Sequence, residues 1–191
     1  MNLLREYIRR VLTESAIDPK IMRMIDQADK ANYHVEIVPG AARIYDGSKN
    51  KIASVAWYPP GIGPSFGPCA KSAIVNYSGA DEGLGPLAYD VAIEVTGGLA
   101  SDRTEVSGEA EAVWNRYMSS RPDVVVDQLD IMDDYELPQL TPNDESDDCE
   151  QVPAYDTLKD KWHTSPLSKK YSKAGTPVMD ELRKRGMLYE K

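Results

Sequence analysis

One stretch limits the fold more than any other: Ala73 to Gly98, AIVNYSGADEGLGPLAYDVAIEVTGG. Ala73 to Tyr77 is mostly apolar and runs into a polar, glycine-rich cluster, which predicts a strand. Ser78 to Gly85 reads as a turn. Leu84, Leu87, Ala88, Val91, Ala92 and Val95 then recur at three- and four-residue spacing, which predicts a helix. Pro86 falls in its first turn, where a missing N–H removes no helical bond. Gly97-Gly98 supplies the achiral stop. A strand, a glycine turn and a helix start bring free N–H groups and the positive end of a helix dipole to one place, and such a place suits an anion. The competing reading is a glycine turn that only lets strand and helix pack closely.

The segments before it read as one helix and a meander. Asp18 caps a helix from Pro19 to Ala31, with Ile21, Met22, Ile25 and Ala28 inward and Ile17 as a staple. Strands follow at His34–Val38, Ala42–Tyr45 and Ile52–Tyr58, the last two joined by the turn Asp46 to Asn50. Pro59 to Pro68 is too rich in Pro and Gly to continue a ladder, and reads as a connector or as a loop over a pocket. After the glycine stretch, Ser107 caps a helix with Ala110, Val113, Trp114 and Tyr117 on one face. Val124 to Val126 reads as the last strand of the sheet.

Charge divides the remainder. Asp127 to Glu150 holds ten acids and no Lys or Arg, and reads as a solvated linker or meander. Residues 151–191 hold nine Lys and Arg against five acids, with Trp162 and Leu167 as anchors. A final helix starts at Pro177, with Thr176 as its cap, and Gly186 stops it. Opposite charge suggests that the acidic stretch and the basic tail meet. The net charge of −9 argues against nucleic acid or an anionic membrane as partner, and no apolar run approaches the ~18 residues of a membrane span. The acid density admits a calcium site, but EF-hand spacing is absent and no metal is expected. Cys69 reads as a small buried residue. Cys149 sits among carboxylates, which raise a thiol pKa. His163 with Cys149 as a thiol–imidazole pair lacks a third orienting group. No disulfide framework is expected.

The turn Ala80-Asp81-Glu82-Gly83-Leu84-Gly85 resembles the acyl-CoA-binding motif of the GNAT acetyltransferase superfamily, in which Arg/Gln-x-x-Gly-x-Gly/Ala holds a pyrophosphate. Both glycines match, and Ala80 stands at the Arg/Gln position. Ser107-x-x-Ala110-x-x-x-Trp114 has the spacing of the second signature, Asn-x-x-Ala-x-x-x-Tyr. The resemblance covers roughly residues 20–126. It implies an α/β (α+β) fold with a mixed, mostly antiparallel central sheet flanked by helices, with residues 17–126 as the domain and a C-terminal extension. It implies acetyl-CoA as cofactor, held by Val75, Tyr77, Gly83, Leu84 and Gly85, and transfer of the acetyl group to an amine of unknown identity. Tyr117 is the nearest phenol to the signature tyrosine and stands as the acid; Glu36 on an early strand stands as the base. Ala80, Asp81, Glu82 and Trp114 favour the alternative, a non-catalytic structural or host-interaction protein on the same fold.

Met1 to Glu14 is an amphipathic helix with Leu3, Leu4, Tyr7, Ile8, Val11 and Leu12 in one stripe. It resembles the capsid-targeting peptides of large contractile-tailed bacteriophages, which a maturation protease removes after Leu/Ile-x-Glu. Leu12-Thr13-Glu14 fits that triplet, so the resemblance implies cleavage between Glu14 and Ser15. It also implies a capsid or scaffold partner, and a location in the virion interior or the host cytoplasm. An ordinary first helix packed on the domain, a membrane-surface helix, and a cytoplasmic regulator that keeps this helix are the other readings.

Overall fold

A computed structural model describes residues 17–61, 69, 71–81, 83–132 and 137–191. The expected first helix, its Glu14–Ser15 cleavage point and most of the Pro59–Pro68 loop lie outside them.

Helix α1 (Pro19–Lys30) begins where the Asp18 carboxylate accepts the amides of Lys20 and Ile21, and it buries Ile21, Ile25 and Ala28. Strands β1 (His34–Val38), β2 (Ala41–Tyr45) and β3 (Lys51–Tyr58) form the expected antiparallel meander. The Asp46 carboxylate accepts the amides of Ser48 and Asn50 and so fixes the β2–β3 turn. Strand β4 (Ala73–Ala80) runs three residues past its expected end, because Ser78, Gly79 and Ala80 still pair with Val55, Ser54 and Ala53.

Helix α2 (Gly85–Thr96) leads into the short strand β5 (Leu99–Ala100), and α3 (Gly108–Ser120) follows. Then come β6 (Val125–Gln128), β7 (Asp130–Ile131), β8 (Asp148–Cys149) and α4 (Val152–Leu158). Strand β9 (Lys169–Ser172), α5 (Pro177–Lys184) and β10 (Leu188–Glu190) complete the chain. The main sheet has eight strands in the order β10-β1-β2-β3-β4-β5-β9-β6, and β7 pairs with β8 apart from it. The class is the expected one: a mixed α/β fold with a large, mostly antiparallel sheet flanked by helices.

Helix α2 sits at the centre, against β2, β3, α1, α3 and α5. Residues 87–94 are buried without interruption, and a helix buried on every side carries apolar residues all round. Its two buried acids, Asp90 and Glu94, are therefore the exceptions that need partners.

Three expectations change. Strand β6 is not the last of the sheet, since β9 from the tail lies between β5 and β6 and pairs with both. The acidic stretch is not a plain linker: it supplies β7 and β8 and buries Asp130 and Cys149. Cys69 and Cys149 are not free thiols but form a disulfide, with a Cα–Cα distance of 4.8 Å across a sequence separation of 80. That bridge requires the chain around β8 to return beside the start of β4, a long-range approach that no local spacing encodes. The two sulfurs share a small apolar cluster with Ile74, Ala100 and Leu129. The acidic stretch meets basic groups from two directions, Lys170 of β9 at 2.9 Å from Asp127 and Lys71 at 2.6 Å from Asp144.

Candidate functional site

The parallel pair β4–β5 holds for only two register positions, Ala73 with Leu99 and Ile74 with Ala100. Beyond Ala100 β5 ends, and residues 75–80 of β4 have no strand beside them on that side among the described residues. The register between β3 and β4 slips at Ala56/Trp57, leaving Asn76 as the extra residue of a bulge, a feature that bends a strand and increases its twist. Past the bulge, the Asp81 amide donates to the Ile52 carbonyl at 2.8 Å. In an antiparallel ladder the bonding pairs alternate, so Tyr77 and Gly79 bond to β3 while Ser78 and Ala80 turn their amides and carbonyls to the open edge.

At the end of that edge lies the glycine turn. Gly83 has a φ of +74°, a conformation that glycine adopts without steric penalty. No side chain caps α2. Among the described residues the amides of Gly83, Gly85 and Leu87 have no acceptor. Gly83 and Gly85 border a cleft of about 550 Å³. Ser78, Ala80, Gly83, Gly85 and Tyr89 line one wall, and Ser107, Glu109, Ala110 and Val113 at the start of α3 line the other. Ser107 accepts the Ala110 amide at 3.3 Å as the expected cap. Among the described residues the lining holds no Lys, Arg or His. The phenol of Tyr89, 3% exposed, donates to Ser78 Oγ at 2.9 Å. Burial raises its pKa, against the smaller effect of the Ser78 bond.

The expected site residues divide. Gly83 and Gly85 line the cleft. Leu84 and Val75 are buried in the core and are not among the residues that line the cleft. Tyr77 is 57% exposed, and because successive strand side chains alternate, it lies on the face opposite Ser78. Its hydroxyl lies over Gly79, 2.9 Å from where a Cβ would stand.

Glu36 is not brought to the glycine turn. Tyr117 is buried behind the turn and does not line the cleft; its hydroxyl donates to Asp90 at 2.6 Å and lies 3.4 Å from the carbonyl oxygen of Pro86, a residue that does. Burial and the neighbouring Asp90 push its pKa well above 10. Glu36 lies on β1, three positions along the sheet from β4, and pairs with Lys191 at 2.8 Å. It borders a separate depression with His34 and Tyr189. Trp114 fills the core, stacked on Tyr171 and edge-on to Tyr89.

Three cleft residues were not singled out from sequence: Ser78, Tyr89 and Glu109. Ser78 was absorbed into the turn, and Tyr89 into the apolar periodicity of α2. Their shared signal is a polar atom at a position that the strand and helix periods turn towards one another.

Behind the cleft lies a buried charge network. Arg121 grips Asp90 at 2.9 and 2.7 Å and Asp123 at 2.8 and 2.6 Å. Lys173, from the segment after β9, donates to Asp90 at 3.0 Å and to Glu94 at 2.7 Å. Desolvation pushes the Asp90 pKa up, but Lys173 and Arg121 outweigh it and hold the carboxyl below its ordinary value. For Glu94, which has one cation instead of two, burial prevails and the pKa rises. Elsewhere, Asp130, Asp147 and Asp148 each place a carboxylate oxygen within 4.8 Å of the others. Asp148 Oδ1 is buried without a hydrogen-bond partner, and burial with the adjacent Asp130 raises that acid's pKa. Among the described residues, no helix is long and apolar enough to cross a membrane.

Comparison of the chain with known protein families, with curated proteins and with solved structures finds no match.

Proposed function

We propose that the cleft binds an acyl-CoA and that the protein is a GNAT-like N-acyltransferase of a bacteriophage, carried in the virion behind its N-terminal segment. The observation that supports this reading most is the open edge of β4 past the end of β5, above a glycine turn whose Gly83 and Gly85 amides meet no acceptor among the described residues. An extended ligand with amide groups fits the open edge at Ser78 and Ala80, as an added strand would. Its phosphates fit the turn at Gly83 and Gly85. Bound there, the thioester supplies an acyl group: the amine nitrogen bonds to the carbonyl carbon, the carbon–sulfur bond breaks, and one proton passes from nitrogen to sulfur. The chain contributes backbone donors and a water-poor cleft between α2 and α3. Tyr117 and Glu36 take no part in this version of the site.

Calorimetric titration with acetyl-CoA tests the reading. Submillimolar binding that disappears in Gly85→Trp is the expected result, and no binding at millimolar ligand removes it. A second reading, a non-catalytic virion protein on the same fold, is favoured by the absence of a cationic side chain among the described lining residues and by Asp81, next in sequence to the lining residue Ala80. Binding without release of free thiol in the presence of a panel of amines would select it. Intact-mass analysis of protein from its natural source tests the packaging element, for which a new N-terminus at Ser15 is expected.

A further inference from the structure

Ser78 and Tyr89 form a polar pair in a cleft with no cationic side chain among the described residues. Ser78 lies past the point where β5 ends, on the stretch of β4 with no neighbouring strand among the described residues. Tyr89 reaches it from α2. The ring of Tyr89 is held edge-on by Trp114 at a centroid distance of 5.0 Å, so its hydroxyl has little freedom. A phenol is a stronger acid than an aliphatic alcohol, and it donates here to Ser78 Oγ. Accepting that bond leaves the serine with its own proton, and no described group accepts it. A hydroxyl that already accepts one hydrogen bond donates the next more strongly, and a poorly solvated site increases the effect.

We propose that Ser78 is the side chain that holds the carbonyl oxygen of the bound thioester, and that Tyr89 is the positioning residue that aims the Ser78 proton into the cleft. This rests on the acyl-CoA reading of the cleft. The ligand class follows from the donor: a neutral O–H, in a lining with no cation among the described residues, suits an uncharged oxygen that gains negative charge during reaction, in contrast to a phosphate. The same bond then strengthens as the carbonyl carbon is attacked, which is the moment at which such a donor accelerates acyl transfer.

The test compares the affinities of acetyl-CoA and free CoA for the full chain, because the two ligands differ by that carbonyl. In Ser78→Ala, acetyl-CoA is expected to bind about tenfold more weakly while CoA is unchanged, the loss of one neutral hydrogen bond. Ser78→Thr keeps the hydroxyl and is expected to restore the wild-type ratio. Tyr89→Phe is expected to reduce the acetyl-CoA preference without changing the affinity for CoA. A Ser78→Ala protein that loses both ligands equally, or neither, overturns the assignment while leaving the cleft reading in place. Wild-type protein that binds neither ligand removes the cleft reading and the assignment together. Circular dichroism of each variant separates a lost contact from a lost fold, and the small Ser78→Ala change keeps the comparison available if Tyr89→Phe does not fold.

Discussion

Arg121 has no exposed side-chain surface and bonds two carboxylates at once. Removing one partner of a buried ion pair costs more than the pair contributes, because the remaining charge keeps its desolvation penalty. Arg121→Leu is therefore expected to lower unfolding free energy by about 3–5 kcal/mol in urea titrations. The network also sets an acid limit. Asp90 has a depressed folded pKa, so its contribution is present above the unfolded value of about 3.9 and is lost as pH falls through the folded value. Glu94 has a raised folded pKa, so it acts with the opposite sign just above about 4.5, where rising pH removes stability. The melting temperature is expected to fall steeply below about pH 4, and less so in Asp90→Asn, whose baseline is already lower. None of this was legible from sequence. Asp90 and Glu94 occupy a helix whose apolar spacing was the dominant signal, and Arg121 read only as a helix end. Their partners come from segments far along the chain.

The start of α5 shows how an element can differ from its local reading. Thr176 precedes Pro177 as a cap should, yet its side chain accepts no helix amide and donates instead to Asp180. The amides of Val178 and Met179 are taken by the two oxygens of Glu94 from α2. Thr176→Ala is accordingly expected to change stability by no more than about 0.5 kcal/mol. Glu94→Ala, which strands both amides and takes one of the carboxylates from Lys173, is expected to cost several times that in the same denaturant titration. The elements that sequence did disclose are those with enough length to show a period or a clear start signal: α1, α2, α3, α5, β4 and the meander β1–β3. Strands β5, β7 and β8 are two residues each, too short for alternation to register. Strand β9, Lys-Lys-Tyr-Ser, hides because only Tyr171 is fully buried. Within the cleft, the glycines were legible from their turn and the Ser78–Tyr89 pair was not, since it depends on how α2 lies across β4.

At the scale of the molecule, the C-terminal segment is part of the sheet. It inserts β9 between β5 and β6, adds β10 parallel to β1, and supplies Lys173 to the charge network. Arg103, buried beyond the end of β5, donates to the Leu167 carbonyl at 2.7 Å and to Gln151 at 3.2 Å. Loss of residues 151–191 removes the Leu167 and Gln151 acceptors of Arg103 and leaves strand edges on β1, β5 and β6 without partners. Such a truncated chain is expected to lose its cooperative thermal transition and to elute as aggregate in gel filtration. The Cys69–Cys149 bridge has a mechanical consequence. It makes a covalent ring of the chain that holds β4, the glycine turn, α2 and α3. Tension applied at the two ends passes through the sulfurs and bypasses everything inside. With 80 residues so shielded, the fully stretched oxidised chain should be about 270 Å shorter than the reduced one. Single-molecule pulling before and after dithiothreitol reads that difference directly, and equal lengths would mean that the ring never closes.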